Sequence, residues 1–99
     1  MMTQRELKDI NLHTLTREFN RAASNYRHAL GYLKSTSKRA NVKEETIDKC
    51  YDRMNRADDK MNAILIAITV REQNRHTEFY LNKLSAEYEE LADKREALM

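Results

Sequence analysis

The stretch that decides the fold is Ala63-Ile64-Leu65-Ile66-Ala67-Ile68-Thr69-Val70, followed by Arg71-Glu72-Gln73-Asn74-Arg75-His76-Thr77. The first eight residues are apolar apart from Thr69, so a helix there must be covered on more than one side. The next seven are polar enough for a turn, yet contain neither glycine nor proline, the residues that most often break a helix. Whether the chain runs straight through 71–77 or folds back there sets the architecture.

Upstream, Leu12, Leu15, Phe19, Ala22, Tyr26, Ala29 and Leu33 recur at alternating steps of three and four, the seam of a helix packed along a neighbour. This periodicity predicts a helix over about 4–36, opened by a Thr3-x-x-Glu6 capping box. The hydroxyl and amide side chains from Ser35 to Asn41 compete for backbone hydrogen bonds, which places a loop at about 37–42 and a second cap at Asn41 with Glu44. A second stripe follows: Ile47, Cys50, Met54, Ala57, Met61, Ile64 and Ile68, with Phe79 within about 20° of it on a continuous helix.

A third stripe, Leu81, Leu84, Tyr88, Leu91 and Leu98, has Arg95 at its one heptad position that is not apolar. Leu81 lies thirteen residues beyond Ile68, or about 220° after full turns, so on one straight helix the stripes point nearly opposite ways. Projected backwards, the third stripe runs through Thr77, Val70, Ile66 and Ala63. The fold is therefore all-α with coiled-coil-like packing, either a long helical hairpin or a three-helix bundle, with residues 43–98 forming one helix or two and any kink at 71–77. The absence of glycine and proline favours the long helix. Its uncovered stripe then predicts a homodimer contact through Ile66, Val70, Leu81, Leu84, Tyr88, Leu91 and Leu98.

Composition agrees with this class. The 99 residues are 40% hydrophobic, with no proline and Gly31 as the only glycine, which fits a single helical domain whose modest core is completed by self-association. The lone Cys50 and an N-terminal sequence without a signal-type apolar stretch lead us to expect a cytoplasmic protein. The longest apolar run is far shorter than the roughly 20 residues a membrane span needs.

The charge is unevenly spread. From Phe19 to Lys43 there is no Asp or Glu, while Arg21, Arg27, His28, Lys34, Lys38, Arg39 and Lys43 fall there beside Tyr26 and Tyr32. Residues 1–43 hold nine basic and three acidic side chains, and residues 44–99 hold nine and thirteen. Clustered cations attract acidic proteins or phosphate backbones. They also suit an internal role beside the acidic run Glu87-Tyr88-Glu89-Glu90 with Asp93 and Glu96. No nucleic-acid-binding signature accompanies the charge, so the expected partner is an acidic protein before a nucleic acid.

Chemistry is weakly represented. Glu72 and His76 are one turn apart but lack the second Glu/His pair that a helical metal site requires. Cys50 falls on a core stripe with no activating neighbour. Arg17, Arg21 and Arg53 would need to converge inside the seam to hold an anionic substrate, and Arg17 and Arg21 fall off it. We therefore expect no catalytic residue, no metal, no cofactor and no small-molecule substrate: an adaptor, chaperone, assembly factor or inhibitor that works by binding.

Overall fold

A computed structural model describes residues 11–36, 43–71 and 73–98, and of Leu98 the backbone alone. Among them stand three helices, α1 (Leu12–Thr36), α2 (Glu44–Thr69) and α3 (Arg75–Leu98). They pack as an elongated bundle of 51 × 24 × 17 Å. All-α is thus the fold class, and the described residues take the three-helix form.

Asn11 caps α1, its Oδ1 accepting from the Thr14 N–H at 2.8 Å, and its carbonyl taking the Leu15 N–H at 3.1 Å. The expected Thr3–Glu6 box and the cap at Asn41 lie outside the described residues. α2 opens from an extended Lys43 without a side-chain cap, with Glu44 and Glu45 in its first turn, where negative charge favours the N-terminal end of the helix dipole.

The favoured straight helix over 43–98 is not what forms. α2 ends at Thr69, and two side chains supply what its end and the next beginning lack. Gln73 Nε2 donates to the Ile68, Thr69 and Arg71 carbonyls at 3.1, 3.2 and 3.0 Å. Asn74 caps α3, its Oδ1 accepting from the Thr77 N–H at 2.9 Å and from the Thr77 hydroxyl at 3.1 Å. The physical reason for folding back is the offset between the stripes: with the chain reversed, stripes that point nearly oppositely on a straight helix can share one core.

That core holds Leu15, Phe19, Ala22, Ala23, Tyr26, Ala29, Leu30 and Leu33 of α1, Met54, Ala57, Met61, Ile64, Ala67 and Ile68 of α2, and Leu84 and Leu91 of α3. Ala23 and Leu30 widen the α1 seam, as befits a helix covered by two neighbours. Ile47 and Cys50 pack half-buried at the margin, with Leu12, Leu81 and Tyr88. Phe79, expected on the α2 stripe, stands 61% exposed because the helix that would carry it there has ended.

Candidate interaction surface

The outer side of α1 carries Arg17, Arg21, Arg27, His28 and Lys34, all exposed, along with Tyr32. Lys43 is also exposed, just before α2, and Lys38 and Arg39 lie outside the described residues. Tyr26, from the same run, is instead a core residue, 2% exposed. Spacing explains the division: Tyr26 continues Leu15, Phe19 and Ala22, whereas the cations occupy the positions between.

Glu18 is the one acidic residue of α1. Lys60 of α2 donates to its carboxylate at 2.9 Å, and Arg21 lies 3.6 Å away. The Lys60 bond, helped by the charges of Lys60, Arg21 and Arg17, holds the Glu18 carboxyl below its ordinary pKa despite partial burial. Part of the positive charge is also used across the bundle. Arg27 forms an ion pair with Glu87 of α3, so the expected complementarity of α1 with the acidic run exists there. Glu89, Glu90, Asp93 and Glu96 remain exposed, Glu90 pairing with Lys94 of its own helix at 3.1 Å.

Two adjoining depressions mark this side. A shallow one on α1 is lined by Ser24, Arg27, His28, Gly31, Tyr32 and Ser35. A groove between α1 and α3 is lined by Arg27, Leu30, Gly31, Lys34, Lys94 and Ala97. Both share Arg27 and Gly31, and a Cβ built on Gly31 would meet nothing within 4 Å. Glycine is not demanded there by packing. It lines both hollows, with open space where a side chain would stand.

A further basic strip escaped the sequence reading. Arg53, Arg56 and Lys60, with Ala22, Asn25 and Ala57, line a groove between α1 and α2. Their spacing of three and four residues was a legible signal, hidden because Asp52 precedes the run and Asp58 and Asp59 interrupt it. Arg53 donates to Asn25 at 3.3 Å and Arg56 pairs with Asp52 within α2.

No protein-family model, curated protein or solved structure matches the chain.

The predicted dimer stripe is divided by the fold. Leu84 and Leu91 are each 1% exposed and belong to the chain's own core. Leu81 and Tyr88 are half-buried against it. Ile66 and Val70 are exposed, at 43% and 56%, and the Leu98 side chain lies outside the described residues. The stripe as a whole is therefore not an open face, because α3 has turned its half inward.

Arg95, the odd member of that stripe, belongs to a polar group that crosses the bundle. Its guanidinium lies over the Tyr51 ring and within hydrogen-bonding reach of the Tyr26 hydroxyl. Burial raises the Tyr26 pKa, and Arg95 offsets part of the rise. Tyr88 is pushed up to about 12, first by burial and then by its hydrogen bond to the Asp58 carboxylate. Among the described residues no group of three or more His, Cys, Asp or Glu gathers as metal ligands, and no helix is long and apolar enough to cross a membrane.

Proposed function

We propose that this protein is a non-enzymatic interaction module that offers the basic side of α1, continued onto α2 by Arg53, Arg56 and Lys60, to an acidic segment of a partner protein. The observation that carries it is the exposure of Arg17, Arg21, Arg27, His28 and Lys34 on a helix whose single carboxylate, Glu18, is already engaged by Lys60. The Gly31 hollow supplies relief for a partner side chain, and Tyr32 beside it supplies an aromatic contact of the kind interfaces favour. Binding through such a face acts by scaffolding or steric exclusion, as in an adaptor, chaperone, assembly factor or inhibitor. A reducing, cytoplasmic setting suits the lone thiol of Cys50. Self-association accompanies this role, because Ile66, Val70 and Phe79 leave apolar surface around the α2–α3 connection in a chain with a small core.

The test is fluorescence anisotropy with a labelled poly-glutamate peptide and labelled random single- and double-stranded DNA, each titrated across salt. Peptide binding that is lost in Arg21→Glu with Lys34→Glu, and kept in Lys83→Glu, supports the proposal. Tighter binding to DNA with a steep salt dependence would transfer the surface to nucleic acid. Absence of binding to both at low ionic strength removes the basic face as a docking site.

A further inference from the structure

The large exposed apolar side chains Ile66, Val70 and Phe79 bracket the α2–α3 connection, and their register is informative. Were α2 and α3 one continuous helix, Ile66 would stand eighteen residues, about five full turns, before Leu84, on the same face. Val70 would fall about 40° from Leu84, and Phe79 about 20° from Ile68. Every one of the three would thus join a stripe that is already buried elsewhere along its length. In the folded-back chain they project into water.

The connection is suited to straightening. It has no glycine or proline, and among the described residues none has positive φ. What holds the turn is replaceable by helix hydrogen bonds. The Ile68 and Thr69 carbonyls capped by Gln73 are the acceptors that α-helical N–H groups four residues on would use, and the Thr77 N–H bound by Asn74 would find the Gln73 carbonyl. α3 is also bound mainly through contacts that a second copy reproduces unchanged: Leu84 and Leu91 in the core, Glu87 on Arg27 and Arg95 on Tyr51.

From this register we infer that two copies of the chain dimerise by exchanging α3, with α2 and α3 joined as one helix in the exchanged form. The inference rests on the self-association proposed above and assigns its mechanism. Each α3 occupies on its partner the place it holds here on its own chain, so no core contact is lost. The two straightened connections run past each other and cover Ile66 and Val70, which the single chain leaves exposed.

The experiment uses the full chain with Cys50→Ser, Arg27→Cys and Glu87→Cys, which sets thiols where α1 and α3 meet. The dimer fraction from size exclusion is treated with a short bis-maleimide and run on a denaturing gel. Linkage between chains, giving twice the chain mass, is expected. Linkage confined within single chains overturns the exchange while leaving dimerisation itself standing. A chain that light scattering finds monomeric at high micromolar concentration overturns both, but leaves the basic face untouched. Independently of the cross-link, Arg75→Pro, at the first position of α3 behind the Asn74 cap, is tolerated in the folded-back chain but breaks a continuous helix, and should lower the dimer fraction by about tenfold or more. Dimerisation equal to that of the native chain would refute the exchange.

Discussion

The guanidinium carbon of Arg95 stands 5.8 Å from the centroid of the Tyr51 ring, which ties the C-terminal part of α3 to α2 at the end of the bundle remote from the turn. With Tyr26 alongside, it gives the apolar stripe of α3 one charged position that fits a single place on the α1–α2 pair. Arg95→Ala should cost about 1–2 kcal/mol in urea unfolding, the sum of a cation–π contact and one hydrogen bond. Arg95→Lys should recover only part, since an ammonium lacks the planar fork that serves two partners. A variant as stable as the native chain would show that the contact contributes nothing.

Leu84 and Ile66 would lie on one face of a straight helix, yet one is 1% and the other 43% exposed. Leu84→Ala should therefore destabilise the single chain by about 2–5 kcal/mol, and Leu84→Asp with Leu91→Asp should unfold it. Ile66→Asp should cost less, about 1–2 kcal/mol, since part of the side chain is covered and a carboxylate opposes the dipole in the last turn of α2, while lowering any dimer fraction. Circular dichroism paired with light scattering separates the two effects. A folded, monomeric Leu84→Asp, Leu91→Asp double variant would contradict this division of the stripe.

Tyr88 sets the response to alkali. Its hydroxyl ionises near 10 when unfolded and at about 12 when folded, so the raised value contributes stability that is fully present below pH 10 and is lost as pH rises towards 12. Tyr88→Phe should flatten this part of the stability curve. At neutral pH it should cost about 1 kcal/mol, because Asp58 loses a donor. Phenolate absorbance during alkaline titration provides the check: a Tyr88 that titrates near 10 in the folded chain would remove the effect.

Gly31 should trade stability for binding. A Cβ there has room, so Gly31→Ala should stabilise α1 by about 0.5–1 kcal/mol. The methyl group projects from the lining that both hollows share, and affinity for an acidic partner peptide should fall. Unchanged affinity together with the gain in stability would detach Gly31 from the binding surface.

Much of the bundle was legible from spacing alone. Six of the seven positions on the first stripe, Leu15, Phe19, Ala22, Tyr26, Ala29 and Leu33, are buried, with Leu12 at the edge, since helical periodicity is a local property and every neighbour demands the same apolar face. The second stripe holds from Met54 to Ile68 for the same reason. The cations of α1 could be placed at the surface because they fall between stripe positions. The pairing of Arg27 with Glu87, sixty residues apart, and the groove of Arg53, Arg56 and Lys60 against Asn25 could not, since nothing local relates one helix's outer positions to another's.

By itself, then, the order of residues determined that the chain is helical, where its apolar faces lie and where its acid-free stretch runs, because each follows from 3.6-residue periodicity and side-chain chemistry within a few turns. Only the tertiary structure decided the path at 70–74. Without glycine or proline, continuing and turning differ little in local cost, and the balance falls to Gln73 and Asn74 capping the ends and to Leu84 and Leu91 finding cover on the chain's own α1 and α2. The run from Ala63 to Val70 does need cover on more than one side. Most of that cover comes from within the chain, and Ile66 and Val70 are where it stops.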